Sequence, residues 1–561
     1  MEVSTLASAL LAEDTGALLD RALEQWTAIL GPDHVMVDER SRTAAETATF
    51  ATSQRVPAIL RPGCREEVQE CIRIANRFRV SLYPVSSGKN WGYGSRVPVA
   101  DASVLIDLSR MNRIVDFNEK LAYVTVEPGV TQRQLFEFLG THQSRLWMDA
   151  TGSSPECSLI GNVVERGFGH TPYGDHFAQV CGFEVVLPTG TLMQTGFCRF
   201  PAAQAGPVYR WGAGPTLEGL FSQSNLGIVT RMTIWLMPAP EHFEAFFFQC
   251  NRADQLAGLI EALRPLRMQG ILRSTVHIAN DYKVLAGIQQ YPWQETGGQT
   301  PLRPELMAQL RSRLKFGAWS GSGGLYGTRG QVAEARRAIR KALKGKVDRL
   351  QFLDDRKLAF ASRFAKLYQL LTGWDLSKVI ELARPIYGLM KGVPTEQPLA
   401  STYWRKKSVP PTSMDPDRDG CGLLWLAPVA PTEGHHVELI AKIANDILLE
   451  YGFEPSISMT LITERAVACV ISICYDRREA GQDDQAMACY HHLRQAMTDR
   501  GYYSYRLGIQ AMSEMSGPDG YADLVRAIKN AVDPNGVLAP GRYQPGVSVP
   551  SQTTAIPIAK A

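Results

Sequence analysis

The sequence predicts an α+β protein of more than one domain, and three observations carry that reading. Helical and extended patterns alternate at short intervals from Pro57 to about Pro238. After the prolines at Pro238 and Pro240 the style changes to a repeated strand followed by a helix. Finally, 561 residues with 45% apolar content supply two or more cores at about 100–200 residues per domain.

Residues 1–50 read as a helical segment. The start is acidic and lacks the basic n-region of a secretory signal. Leu18, Leu19, Ala22, Leu23, Trp26 and Ile29 fall on one helical face, which predicts docking on the body of the protein. Beyond Arg61-Pro-Gly, a stripe of Val68, Cys71, Ile72, Ala75 and Phe78 predicts a helix, and residues 80–85 a strand. Further strands are expected at 103–108, 122–129 and 183–190, each closed by turn chemistry. From 243 onward, strands near 243–250, 325, 422–428 and 466–474 are each followed by a periodic helix, which predicts a sheet with helices packed on one face. The intervals 280–315 and 350–421 are less regular and are expected to be long loops, with 407–420 the most loop-like. Tyr505 and Arg506 sit near the end of a further expected strand, and the polar tail from Gly546 is expected to be loose.

Charge excludes one class of partner. A formal charge of +3 remains from 59 basic and 56 acidic groups without a basic stripe, so nucleic acid is not an expected partner. No stretch approaches the ~18 apolar residues of a membrane span, so no membrane association is expected. Ten cysteines without a Cys-x-x-Cys pair argue against disulfides or a zinc knuckle and fit a reducing, cytoplasmic setting. The pairs His435-His436 and His491-His492 are sequence neighbours that point to different sides of an element, so no metal site is expected.

The run Ser86-Ser-Gly-Lys-Asn-Trp-Gly-Tyr-Gly-Ser95 follows a strand, and such a loop exposes successive N–H groups that suit a pyrophosphate. It lacks the nicotinamide spacing and opens no clear helix, so by itself it reads as either a phosphate site or a plain turn. Three other segments favour the site. Residues 161–176 place glycines where a backbone approaches a flat ligand, 222–230 bring small residues into a strand, and 532–541 close the chain with Asp533-Pro-Asn-Gly.

In that order these segments resemble the vanillyl-alcohol oxidase and 4-cresol methylhydroxylase family of FAD-dependent oxidoreductases, across roughly residues 50 to 545. The resemblance implies a split FAD-binding domain of the p-cresol methylhydroxylase type with an inserted cap, an antiparallel sheet covered by helices. The chain would then divide into the FAD-binding domain at 51–240, the cap at 241–500 and a return to the FAD domain with a tail at 501–561. It further implies that Ser87, Gly88, Lys89, Asn90 and Gly92 follow the FAD pyrophosphate, with Ser154, Gly161, Asn162, Gly169, Gly227 and Ile228 around the rest of the cofactor. Tyr93, Tyr505 and Arg506 become a phenolate-binding trio. A phenol in water has a pKa of about 10. Three donors to its anion, at roughly 1.5–3 kcal/mol each, bring that value close to neutrality and turn the ring into an electron donor.

The chain departs from its relatives at two places. Many of them attach FAD through a cap histidine or tyrosine in a segment resembling 420–428, where this sequence offers Leu423 or Gly422, so noncovalent FAD is expected. Cys157 is the alternative linker, since related oxidases use a cysteine in a comparable stretch. Relatives also carry an aspartate near flavin N5. Counting back from Asn162 puts Ser153 or Ser154 there, Asp149 matches an earlier structural aspartate, and Glu156 is the nearest carboxylate that a one-residue shift would supply.

These readings predict oxidation of a para-substituted phenol by hydride transfer from its benzylic carbon through a quinone methide. Desaturation, or a bulkier tyrosine-derived substrate, is the expected outcome. The alternatives are oxidation of a sugar, lactone or other hydroxy compound, and a flavin-binding protein without catalysis, because one FAD fold hosts many substrates. An oxidase is favoured over a cytochrome-linked dehydrogenase, and the resemblance favours a homodimer.

Overall fold

A computed structural model describes residues 2–372, 376–515 and 519–546. The tail from residue 547 on, expected to be loose, lies outside the described residues. The first helix, Glu2–Leu30, docks as its apolar stripe predicts. Ala22, Trp26 and Leu30 are buried against the next long helix, and the Trp26 indole N–H donates to the Cys71 carbonyl at 3.1 Å. Ile29 is the exception on that face and stays exposed.

Two sheets build the first region. A four-stranded sheet runs Val35–Met36, Ile59–Leu60, Val104–Asp107, Leu82–Val85, and its last three strands are parallel. Helix Arg65–Phe78 covers it with Val68, Cys71, Ile72, Ala75 and Phe78, the stripe read from the sequence. A five-stranded antiparallel sheet follows, ordered Ile114–Asn118, Tyr123–Val126, Ile228–Trp235, Val180–Val186, Leu192–Gln194. The end of the chain returns here. Leu82 N–H donates to Val537 O at 2.8 Å and Ala539 N–H to Leu82 O at 2.7 Å.

Between these passes the chain forms an antiparallel eight-stranded sheet, ordered Arg349–Leu353, His242–Cys250, Trp319–Gly327, Val276–Asn280, Ser456–Leu461, Ala466–Asp476, Cys421–Leu426, with Val429–Pro431 pairing beside Ala466–Asp476. Helices Leu256–Met268, Arg329–Leu343, Gly434–Glu450 and Gln482–Thr498 bury Leu263, Ile339, Ile440 and Leu493 against Phe246, Ile278, Met459 and Ile471. Side chains alternate across a strand, so the other face carries the intervening residues. Register there places His277 opposite both Ser322 and Thr460, and Trp425 opposite Ser472. That face carries polar side chains, His277, Ser322, Thr460 and Ser472, beside large ones such as Trp425, where the helix-bearing face is apolar.

The expected long loops are largely structured. Helices Asp281–Ile288, Trp293–Thr296 and Pro304–Leu314 occupy the first interval, and strand Arg349–Leu353 with helices Asp355–Thr372 and Leu376–Leu389 much of the second. Asp281–Ile288 and Trp293–Thr296 are short and Pro385 interrupts Leu376–Leu389, so their apolar period is too brief to register, while Asp355–Thr372 is an 18-residue helix that the sequence reading missed. Residues 407–420 are irregular, as expected. The strand expected before Arg506 is absent; this stretch makes one isolated bridge, Ser504 to Pro428, because its backbone follows the cap strand's end rather than a sheet edge. Among the described residues no helix is long and apolar enough to cross a membrane.

Candidate active site

Strand Leu82–Val85 leads straight into the glycine-rich loop, and the loop walls a deep cavity. Ser87, Gly88, Lys89 and Asn90 line it from one side, Gly161 and Asn162 from the short helix Leu159–Val164, and Gly227 and Ile228 from the entry of strand Ile228–Trp235. Gly88 takes φ +67, a left-handed conformation that glycine adopts without a Cβ penalty. A Cβ at Gly161 would lie 2.4 Å from Ser86 Oγ, so the helix approaches the loop only as glycine. The N–H groups of Gly88, Lys89, Asn90 and Trp91 donate to no acceptor among the described residues. Successive free amides of this kind form an anion cradle. Lys89 lines the wall, but its ammonium is paired with Asp415 at 2.9 Å.

Of the trio expected to hold a phenolate, Tyr93 and Arg506 line this cavity, and Tyr505 touches both without lining it. Arg506 lies over the Tyr93 ring, 4.5 Å from its centroid, and both line the cavity. The side chain of Tyr505 meets Tyr93 and Arg506 from behind. Burial raises the Tyr93 hydroxyl well above its ordinary value, with Tyr505 adding to the shift against the opposing Arg506 charge. Burial raises Tyr505 as well, so both are neutral O–H donors. Trp425, reaching in from the cap strand Cys421–Leu426, packs edge-on to Tyr93 at 5.6 Å.

A buried charge network that the sequence reading missed holds Arg506. Glu165 Oε2 lies 3.3 Å from Arg506 Nε and accepts from the Tyr543 hydroxyl at 3.2 Å, while Oε1 accepts from Arg542. Arg542 also donates to the Tyr83 hydroxyl at 2.6 Å. Burial alone would raise the Glu165 carboxyl, but Arg542 and Arg506 outweigh it and hold the group below its ordinary value. Desolvation works against the Arg506 charge, yet Glu165 keeps its pKa raised. Two guanidiniums against one carboxylate leave one buried positive charge. The signal was in the sequence: Glu165 lies within the glycine segment, and Arg542-Tyr543 directly follows the closing Gly541.

Comparison with known proteins fits this geometry. Residues 56–196 match the family model described as FAD binding domain. The chain is 48% identical over 527 residues to 1'-carboxy-chondrochloren decarboxylase of Chondromyces crocatus, covering 94% of this chain and 97% of that protein. It is 30% identical over 534 residues to the 4-cresol dehydrogenase [hydroxylating] flavoprotein subunit of Pseudomonas putida, covering 93% and 95%. The chain belongs to the 4-cresol methylhydroxylase family. Two solved structures agree in fold: p-cresol methylhydroxylase with substrate bound (29% identity, TM-score 0.84) and 4-ethylphenol oxidase from Gulosibacter chungangensis with isoeugenol (28%, TM-score 0.84). Each covers 94% of this chain and 97% of the structure.

As a member of the 4-cresol methylhydroxylase family, the protein is an FAD-dependent enzyme, and its cavity fits the cofactor. Besides the free amides, the buried indole N–H groups of Trp91 and Trp425 have no protein partner, as expected of donors left for a polar ligand. Several anticipated contacts stand elsewhere in this family member. Gly92 lies off the cavity, and its carbonyl accepts the Trp425 backbone N–H at 3.3 Å. Gly169 packs where a Cβ would strike Asp149, and its carbonyl takes the Thr275 hydroxyl at 2.8 Å. Ser154 turns into its own loop to accept Glu156 N–H at 3.2 Å, while Ser153 faces the cavity. The expectation for Glu156 as an active-site carboxylate is not met: it is exposed and ion-paired with Arg133, since one residue along this turn reverses the side chain. Cys157 lines the cavity, but burial raises its thiol despite the Ser153 hydroxyl 3.4 Å away.

Asp149 is buried and folds the glycine segment back on itself, accepting the N–H groups of His170 at 2.9 Å and Thr171 at 2.8 Å. Burial acts to raise its carboxyl, but His176, 3.3 Å away, and Thr171 bring it below the ordinary range. At a distant surface, the ligand atoms of Glu433, His435 and His436 lie within 4.8 Å of one another. This differs from the expectation for adjacent histidines, since the two rings lie 4.0 Å apart at the start of the helix. His436 Nδ1 is already engaged by the Tyr502 hydroxyl at 2.7 Å.

Proposed function

We propose that the protein oxidises a para-alkylphenol at the carbon next to the ring and releases a vinylic product, with loss of CO2 where the second carbon carries a carboxylate. What supports this reading most is Arg506 stacked on Tyr93 at the cavity with Tyr505 touching both, and one positive charge in excess. Such a site favours the phenolate over the phenol, since charge-assisted hydrogen bonds are the strong ones. The phenolate ring pushes electrons toward its para carbon, a hydride leaves the benzylic position, and the substrate becomes a quinone methide. FAD, when bound, supplies the hydride acceptor.

Ser153 directs the fate of the quinone methide. A carboxylate at that wall would repel an anionic substrate tail, by about 4 kcal/mol for unit charges 4 Å apart at an effective dielectric of 20. The uncharged hydroxyl admits one. Decarboxylation of the quinone methide then needs no base: the pair from the breaking C–COO⁻ bond becomes the new C=C bond as the ring returns to phenolate. The Chondromyces crocatus relative is named for a decarboxylation of a carboxylated compound, which favours this outcome. Molecular oxygen is the proposed electron acceptor, with a cytochrome partner the alternative.

Anaerobic mixing with 3-(4-hydroxyphenyl)propanoate is expected to bleach the flavin and yield CO2 and 4-vinylphenol, while the O-methyl ether leaves the flavin oxidised. Equal bleaching by both would sink the phenolate mechanism. The flavin is proposed to be noncovalent, because neither Leu423 nor Gly422 on the cap strand forms a flavin bond and Cys157 is held as a thiol. Acid precipitation should leave all the yellow colour in the supernatant, and a yellow pellet overturns this.

A further inference from the structure

Ser153 has no acid–base capacity near neutral pH, so a substrate without a carboxylate needs another group to discharge its quinone methide. A pair of imidazoles stands beside the same wall. A Cβ at Gly152, which lines the cavity, would lie 3.4 Å from His170 Cε1. From Tyr505 a row of rings leads to this place: Phe168 at 6.0 Å, then His277 at 6.2 Å from Phe168, and His170 stacked on His277 at 4.1 Å.

The hydrogen bonds fix both tautomers. His170 Nδ1 lies 3.2 Å from the Ala150 carbonyl, which only accepts, so Nδ1 carries the proton and the neutral ring presents a lone pair at Nε2. His277 is arranged the other way. Its Nε2 lies 3.1 Å from the Gly169 carbonyl and carries the proton, and its Nδ1 lies 3.1 Å from the Thr460 hydroxyl. Both nitrogens of His277 are thereby used. His170 Nε2 has no hydrogen-bond partner among the described residues, and the adjacent Cε1 lies against Gly152 of the cavity wall.

We propose that His170 is the catalytic base for para-alkylphenols that lack a carboxylate, an assignment that rests on the proposed oxidation of phenols. After two electrons have left as hydride to FAD, Nε2 removes a proton from the second side-chain carbon of the quinone methide. The C–H pair becomes the C=C bond, the ring regains its aromatic electrons as phenolate, and the proton stays on Nε2. The titratable groups that face His170 are Asp149, His176 and His277. Burial keeps the ring neutral below its ordinary titration range, with Asp149 opposing. The nearby Asp149 anion, which accepts the His170 backbone N–H, also stabilises the imidazolium formed in the step.

The test measures vinylphenol formed per flavin reduced, with 4-ethylphenol and 3-(4-hydroxyphenyl)propanoate, in wild type and in His170→Asn and His170→Gln, each checked for its bound-flavin spectrum. With 4-ethylphenol the vinylphenol yield should fall about tenfold or more, replaced by the alcohol from water addition, whereas the propanoate yield should fall far less. In wild type the vinylphenol-to-alcohol ratio from 4-ethylphenol should drop as acid protonates His170, and this limb should vanish in both variants. Wild-type yields and an unchanged acid limb in the variants overturn the assignment while leaving phenol oxidation intact. Failure of either phenol to bleach the wild-type flavin overturns both.

Discussion

Arg506→Ala is expected to lower flavin reduction by phenols about 10²–10³-fold or more, the range for removing a preorganised donor from a developing charge, while the flavin stays bound. The reason is geometric. Arg506 stacks on Tyr93 at 4.5 Å and is tied to Asn90 in the cofactor loop, so it is already placed for the phenolate before substrate arrives. Arg506→Lys keeps the charge but loses the planar fork that contacts Glu165 and Asn90 together, and should recover only part of the loss. Stopped-flow reduction with 4-ethylphenol at several pH values reads the effect. In the alanine variant the rate should rise with pH as bulk phenolate forms near pH 10, whereas wild type should be fast at neutral pH. A variant as fast as wild type at pH 7 would remove the trio from the mechanism.

Glu165→Gln is the second large change. One carboxylate serves Arg506, Arg542 and Tyr543 in a buried position, and removing its charge leaves two guanidiniums facing each other. Breaking a buried pair of this kind costs about 3–5 kcal/mol. The variant should lose several degrees in thermal unfolding and release flavin earlier on heating, as read by flavin fluorescence. The pH dependence has a definite sign. The folded Glu165 carboxyl lies below its ordinary value, so its stabilisation is complete above about pH 4.3 and is lost as pH falls through the lower folded value. Wild type and variant should converge only in that acid window. A variant with wild-type stability at pH 7 would show that the two arginines need no shared anion.

Local pattern made much of this legible. The stripe on helix Arg65–Phe78, the strand into the glycine loop and the four helices on the large sheet are set by apolar periodicity, which a short window of sequence contains. The cavity's backbone cradle was equally readable, since glycine at 88 and 161 answers a conformational or steric need at that residue itself. The helices in 280–315 and 350–421 were not: 281–288 and 293–296 span too few residues for an apolar period to register, and Pro385 interrupts 376–389.

By itself, then, the sequence determined the α+β architecture and the glycine loop that walls the cavity, while its resemblance to the family brought Tyr93, Tyr505 and Arg506 together. The tertiary structure alone decided the electrostatics around them. It sent Glu156 to solvent, enclosed Glu165 between Arg506 and Arg542, and set the His170 ring against Gly152 of the cavity wall. The physical reason is range. Backbone conformation and apolar period are fixed within a few residues, while the charge state of a buried group depends on partners brought from more than 300 positions away, as Glu165 is met by Arg542 across 377.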